Sequence, residues 1–147
     1  MKAYLSILSA SALLFVACTQ NKPKETTETT ATKAKVCYLA ISGQDSAKMS
    51  IDETEVGVTG ALAFNFLEKK DLNGEIKGFF SGDTLFVDYT FKLEGTVSKN
   101  PLVFLRKGDT LQQGNGIVET YLGKTHFKDH SVIKFKEGFL FKPTDCD

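Results

Sequence analysis

Several features that would point to a particular function are missing from this sequence. It has no tryptophan and only two histidines, and its 18 basic and 18 acidic residues balance. Because there is no basic block and no acidic tail, the sequence suggests neither a nucleic-acid partner nor a cation store. Nucleophile-elbow, phosphate-loop, Cys-x-x-Cys and His-Glu-x-x-His motifs are all absent. An enzyme is therefore the least favoured interpretation, and we expect no cofactor and no metal.

Long apolar runs are also scarce, and the one present occupies residues 3–17, directly after the charged Lys2. A basic start, an apolar stretch of about 7–15 residues and small residues at its end are typical of a secretory signal. The run is too short for a transmembrane helix, which needs about 20 apolar residues. We therefore expect residues 1–17 to be a signal peptide.

The end of this run carries a cysteine. Phe15-Val16-Ala17-Cys18 resembles the lipobox of bacterial lipoproteins, in which Leu is commoner at the first position. The resemblance implies that the Cys18 sulfur receives a diacylglycerol, that the preceding peptide is removed and that the new amino terminus is acylated. Two or more acyl chains hold a protein stably on a membrane. By the sorting rule known for some bacterial lipoproteins, a residue other than Asp after the lipidated cysteine favours the outer membrane. Thr19 at this position therefore implies the outer membrane of the bacterial cell envelope.

The segment after Cys18 is polar. Residues 19–35 consist mainly of Thr, Lys and Glu without aromatics, so they cannot bury enough surface to offset the entropy of ordering. We predict a flexible tether over residues 18–35, including the lipidated cysteine. Residues 36–147 then form one domain of ordinary size.

The cysteine count fits an exported protein. Of three cysteines, lipidation of Cys18 leaves Cys37 and Cys146, near the two ends of the domain. In an oxidising compartment a disulfide between them is the default expectation. Two free buried thiols or a metal-binding pair are the alternatives.

Alternation of apolar and polar residues dominates the domain. In residues 84–94 the apolar side chains recur at every second position, with Phe86 as the exception, which is typical of a half-buried strand. About eight strands follow from the same pattern: 36–41, 47–52, 56–68, 75–81, 84–94, 101–107, 132–136 and 139–142. A helical period is conceivable only near 117–124.

Short turn signals separate the predicted strands. The phrase GDTL occurs twice, at 82–85 and 108–111. Its aspartates, Asp83 and Asp109, could form a catalytic pair, but Gly-Asp between two apolar strands favours a tight hairpin. Short strands joined by hairpins predict an all-β fold, namely a single small antiparallel barrel of about eight strands or a sandwich.

Residues 112–131 are the longest segment without the strand pattern, and long connections in compact β domains are often functional. The segment could cap a barrel mouth, with Ile117, Tyr121 and Leu122 packing inward, or it could be a plain connection with one helical turn. It also holds His126 and His130, which on a helix would share one face and could bind a metal. We take Tyr121, His126 and His130 as candidate binding residues.

One further resemblance concerns the overall plan. Lipid-anchored inhibitors of C-type lysozyme are similar in having a lipobox, a short linker, an eight-stranded barrel and a terminal disulfide. Their recognition motif, of the form Ser-Gly-x-Arg-Tyr, is matched only by Ser81-Gly82-Asp83, without the following Arg and Tyr. The resemblance is therefore one of architecture, as it is to the many small envelope lipoproteins of unassigned role.

These observations favour a membrane-anchored lipoprotein that binds and does not catalyse. If the barrel is hollow, the expected ligand is a small apolar molecule, a peptide or a glycan. If the barrel is filled and carries a protruding loop, a protein-interaction or inhibitor role is favoured instead.

Overall fold

The computed structural model describes residues 34–146. The predicted signal peptide, Cys18 and nearly all of the tether lie outside the described residues. No helix in the described part of the chain is long and apolar enough to cross a membrane. The strands are β1 (Val36–Ser42), β2 (Asp45–Thr54), β3 (Gly57–Asn65), β4 (Leu72–Ser81), β5 (Thr84–Leu93), β6 (Thr96–Lys107), β7 (Thr110–Gln113), β8 (Val118–Tyr121), β9 (Lys124–Phe127) and β10 (Leu140–Thr144).

Eight of these strands close into an antiparallel barrel in the order β1-β10-β7-β6-β5-β4-β3-β2. The predicted all-β barrel is confirmed. Barrel strands that are consecutive in the sequence are also adjacent in the barrel, and short loops join them. The exception in loop length is the connection between β7 and β10, which is long. The remaining two strands, β8 and β9, form a separate hairpin.

The predicted GDTL turns are confirmed. Gly82 and Gly108 have φ values of 60° and 61°, and each begins a two-residue loop that is completed by Asp83 or Asp109. Glycine at the first loop position supplies the positive φ that such hairpins require. Both loops lie at the same end of the barrel, which we call the upper end, together with the β2–β3 turn at 54–57.

The barrel interior is filled with side chains. Alternate residues of each strand point inward, as a pleated strand requires, and they form a continuous buried cluster. The largest fully buried members are Tyr89, Phe104, Phe141, Ile51, Leu62, Ile76, Leu85 and Leu111. Large aromatic side chains therefore occupy the space that a hollow barrel of this strand number could leave for one small ligand.

Towards the upper end the interior finishes in a charged group. The guanidinium carbon of Arg106 lies 3.7 Å from the centre of the Phe80 ring, and Arg106 Nη2 donates to Glu53 Oε2 at 2.8 Å. Both side chains are less than one-third exposed. An arginine held over an aromatic ring and paired with a carboxylate can close an apolar interior while its charge remains compensated.

The predicted disulfide is present. Cys37 on β1 is bonded to Cys146, two residues beyond β10, and the two Cα atoms are 5.2 Å apart. Because the closed barrel places β1 beside β10, with Cys37 opposite Thr144, the two ends of the domain are natural partners for such a bond. The bond adds a covalent link to this pair of strands, whose register covers only three residue pairs.

Two secondary-structure predictions are wrong. Residues 132–136 are not a barrel strand, since His130–Val132 form a short 3-10 helix and only Lys134 makes an isolated bridge, to Asn115. The short strand β7 takes that place in the barrel. Residues 117–124 contain no helix, because Leu122 and Gly123, with φ values of 49° and 76°, form the turn of the β8–β9 hairpin.

Candidate functional site

A row of apolar side chains faces outward on the barrel wall. Phe79 on β4 lies opposite Phe86 on β5, and Phe86 lies opposite Val103 on β6. These positions have the opposite parity to the inward-facing residues beside them, Phe80, Leu85 and Phe104. Outward apolar residues on a small barrel need a cover or a partner, because they would otherwise be left in water.

Part of this row is covered by the connection between β7 and β10, residues 114–139, which we call the strap. The amide of Gly114 donates to the carbonyl of Val103 at 2.8 Å, and Val103 is fully buried. Phe127 on β9 is also buried. The His130 ring stacks on Phe86 with 4.6 Å between ring centres. The strap therefore lies on the outer wall of the barrel.

A groove of about 590 Å³ remains between the strap and the wall. We call it the outer-wall groove. Phe79, which is 57% exposed, and Phe86 lie on its floor, and Val56 lies at its rim. Thr125, His126, Phe127 and His130 contribute its strap side. The covered half of the apolar row thus continues into an open half with an exposed aromatic ring.

The other part of the groove is polar. Lys77, Asp88 and Lys99 line it, and Lys77 and Asp88 are cross-strand partners on β4 and β5. Asp88 is nevertheless paired with Lys99, whose Nζ is 2.7 Å from Asp88 Oδ2. Within residues 34–146, Lys77 has no ion pair or hydrogen bond from its side chain. Two ammonium groups and one carboxylate therefore line this groove beside the aromatic floor, and Glu75, two positions before Lys77 on β4, lines an adjoining groove with the same three charged residues.

Local contacts hold the strap side of the groove in shape. His126 Nε2 lies 3.4 Å from Glu119 Oε1 across the β8–β9 hairpin. Asp129 precedes the 3-10 helix and accepts hydrogen bonds from the Ser131 amide and hydroxyl at 2.8 and 2.7 Å. These hydrogen bonds lower the pKa of the Asp129 carboxyl. The capped turn fixes the position from which His130 reaches Phe86.

The candidate residues from the sequence are only partly brought together. His126 and His130 both line the outer-wall groove, whereas Tyr121 is 68% exposed near the hairpin turn and is not part of the lining. The alternative in which Ile117, Tyr121 and Leu122 pack inward over a barrel mouth is wrong, because their side chains are 65%, 68% and 85% exposed. The apolar anchor of the segment is Phe127, on the outer wall.

The two histidines do not lie on a helix face, since His126 belongs to β9 and His130 opens the 3-10 helix. In the part of the chain that the structure describes, no three His, Cys, Asp or Glu side chains are grouped to hold a metal ion. The sequence alternative of paired catalytic aspartates also gains no support, because Asp83 and Asp109 each occupy a hairpin turn.

The sequence did not identify most of the groove residues as binding residues, among them Lys77, Phe79 and Phe86. A signal for the two aromatic residues was present. Strict alternation breaks in the runs Phe79-Phe80, Leu85-Phe86-Val87 and Leu102-Val103-Phe104, and neighbouring apolar residues on one strand indicate that both of its faces are covered. Lys77 had no such signal, since a lysine on the wet face of a strand is ordinary.

A second groove, of about 390 Å³, lies over β1, β2, β3 and the start of β4, beside the disulfide. Leu39, Ala61 and Ala63 are among its lining residues. It offers shorter side chains than the exposed ring of Phe79, and it contains none of the candidate residues, so the outer-wall groove is the better candidate site. Compared with known proteins, the chain matches no family model, no curated protein and no solved structure at a significant level.

Proposed function

We propose that this chain is a lipoprotein of the bacterial cell envelope, anchored through Cys18, whose barrel domain is a non-catalytic binding module. Its partner is another protein, and a segment of that protein enters the outer-wall groove. The anchor is supported by the lipobox-like sequence Phe15-Val16-Ala17-Cys18 and the polar tether after it. By the lipoprotein sorting rule, Thr19 directly after the lipidated cysteine favours the outer membrane.

The observation that carries the binding role is the contrast between the two sides of the barrel wall. Inside, aromatic and aliphatic side chains fill the space, as Tyr89 and Phe104 illustrate with exposures of 2% and 0%. Outside, Phe79 keeps 57% of its surface exposed, next to a packed aromatic row. An exposed aromatic anchor beside a structured wall is typical of a protein-binding surface, which favours the interaction role over an internal small ligand.

The anchor is tested by replacing Cys18 with Ser in cells fed a clickable fatty acid. Labelling and membrane association should both be lost. Undiminished labelling of the variant would disprove lipidation at this residue.

The binding role is tested by comparing variants in a pull-down from solubilised envelopes. The wild-type chain and Ile41→Ala, which truncates a 69% exposed apolar residue on β1, should capture the same protein. Phe79→Ala should lose it, with little change in stability because the side chain is largely exposed. Equal capture by Phe79→Ala would place the binding surface elsewhere.

A further inference from the structure

We infer that the outer-wall groove takes an extended peptide segment with an apolar or aromatic residue at one position and an acidic residue two positions away. This inference rests on the proposed function and specifies the chemistry of the segment that is bound. It follows from the arrangement of Phe79 and Lys77 on β4.

Phe79 and Lys77 are two residues apart on the same face of one strand. Neighbouring same-face positions on a strand are about 6.5–7 Å apart. An extended peptide lying along β4 has the same spacing between its own positions i and i+2. One of its side chains can therefore lie on the Phe79 ring while the next same-face side chain reaches the Lys77 ammonium group.

The apolar position is defined by three rings. Phe79 and Phe86 are tilted to one another with their centres 6.1 Å apart, and His130 stacks on Phe86. Val56, which is 88% exposed, completes the rim. A Phe, Tyr or Leu side chain placed here would cover the exposed part of Phe79, and burial of apolar surface is what stabilises such a contact.

The acidic position is defined by charge. Of the two lysines that line the polar part of the groove, Lys99 already pairs with Asp88, so Lys77 is the one that can pair with a carboxylate of the bound segment. A carboxylate next to Lys77 balances the charges that line the groove, whereas an ammonium group there would be the third beside Lys77 and Lys99. A partner with a basic residue at this position is therefore selected against by repulsion.

The probes are four fluorescein-labelled blocked peptides, added to the full chain in zwitterionic lipid nanodiscs and followed by fluorescence anisotropy. Their central sequences are Phe-Ser-Glu, Phe-Ser-Lys, Phe-Glu-Ser and Ala-Ser-Glu. We expect Phe-Ser-Glu to bind best. Since exposed ion pairs contribute about 0.2–1 kcal/mol, exchange of Glu for Lys should weaken binding by about fivefold once repulsion is included.

A charge exchange in the protein provides the second arm. Lys77→Glu should weaken Phe-Ser-Glu binding by about fivefold and should improve Phe-Ser-Lys binding by a similar factor. Lys92→Glu, an equal charge change at an exposed lysine of β5 outside the groove lining, is the control and should leave the order of the peptides unchanged.

Three outcomes would overturn the inference. One is that Phe-Ser-Lys binds as well as Phe-Ser-Glu, another that Lys77→Glu behaves as Lys92→Glu does, and the third that no peptide binds below about 1 mM. In each case the proposed function would still hold if capture of a partner protein in the pull-down depended on Phe79. Loss of that dependence, with the peptide preference intact, would reject the proposed function alone.

Discussion

The imidazole ring of His130 lies on the phenyl ring of Phe86, with 4.6 Å between their centres and 21° between their planes. Phe86 belongs to the barrel wall and His130 to the strap, so this stack joins two parts of the chain that are separated by 44 positions. Phe127 also contacts His130, edge to face, with 6.3 Å between the ring centres. The strap is thus held to the wall by a small aromatic cluster outside the main core.

Replacing His130 with Ala should loosen the strap and leave the barrel intact. Aromatic pairs contribute about 0.5–1.5 kcal/mol beyond burial, so hydrogen exchange at the β9 amides should accelerate while exchange in β4 and β5 stays unchanged. Val132→Ala, in the same 3-10 helix but with a 49% exposed side chain, is the matched control. Equal protection of β9 in both variants would show that the stack does not hold the strap.

The disulfide should stabilise the domain strongly, because it links residues separated by 109 positions. The double variant Cys37→Ala/Cys146→Ala should lose about 2–5 kcal/mol of unfolding free energy in denaturant titrations. A Cys18→Ser variant keeps the disulfide and should match the wild-type barrel. An unchanged denaturation midpoint in the double variant would show that strand pairing and packing alone hold β1 to β10.

Among residues 34–146, one buried side-chain polar atom lacks a hydrogen-bond partner. The Tyr89 hydroxyl is buried and has no hydrogen-bond partner, and burial raises the pKa of Tyr89 to about 12. Removing an unsatisfied buried hydroxyl avoids a desolvation cost of about 1–3 kcal/mol. Tyr89→Phe should therefore be neutral or stabilising at pH 7.

The same residue predicts alkaline unfolding. In the unfolded chain a tyrosine loses its proton near pH 10, whereas folded Tyr89 keeps it to about 12. The folded state then holds more protons, so stability falls as the pH rises from about 10 to 12. Burial raises the pKa of Tyr38 as well, so Tyr89→Phe should reduce the slope without abolishing it. A slope in Tyr89→Phe equal to that of the wild type would refute the assignment.

Gly78 on β4 should tolerate no larger residue. A Cβ atom there would overlap the carbonyl oxygen of Phe86 on the neighbouring strand, so Gly78→Ala would force β4 and β5 apart. Overpacking of this kind costs about 1–3 kcal/mol or more. Thermal unfolding should show a clear loss, and hydrogen exchange should increase first at the β4–β5 pairs. If the variant has the same melting temperature as the wild type, the close approach of the two strands does not require glycine at position 78.

The barrel was predictable because its signals are local. Alternation in residues 84–94 and the GDTL turns follow from the pleat of a strand and from the positive φ of Gly82 and Gly108. The strap was not predictable in the same way. Ile133 and Phe135 alternate with lysines as strand residues do, but they pack against Gly114 on the outer wall. An alternating pattern predicts that a side chain is buried, and it does not identify the surface against which that side chain packs.

The groove depends on contacts between distant parts of the chain. Phe86 was recognisable as an exception on the wet face of β5, yet its stacking partner His130 is determined only once the strap folds back. The role proposed for Lys77 depends on the Lys99–Asp88 pair, a tertiary relationship among three strands. Composition gives the number of each residue type, and periodicity predicts which face of a strand a side chain is on. Neither predicts which charged side chains form ion pairs between distant strands.

Leu122 adds a last test, which separates the hairpin turn from the groove. It has a φ of 49° and is 85% exposed. Left-handed conformation costs a side chain like leucine about 1–2 kcal/mol, whereas Asn tolerates it. Leu122→Asn should therefore raise the unfolding free energy of the β8–β9 hairpin region, by about 0.5–1 kcal/mol, and Leu122→Ala, which keeps the same backbone cost, should not.

The effect of Leu122→Asn on binding decides where the partner sits. Leu122 does not line the outer-wall groove, so a partner held by Phe79 should be captured equally well by wild type and Leu122→Asn. The stability gain excludes unfolding as a trivial cause of any loss. If Leu122→Asn abolishes capture while Phe79→Ala preserves it, the partner instead receives the exposed hairpin turn, with Leu122 and Tyr121 as its apolar contacts, and the groove assignment is wrong.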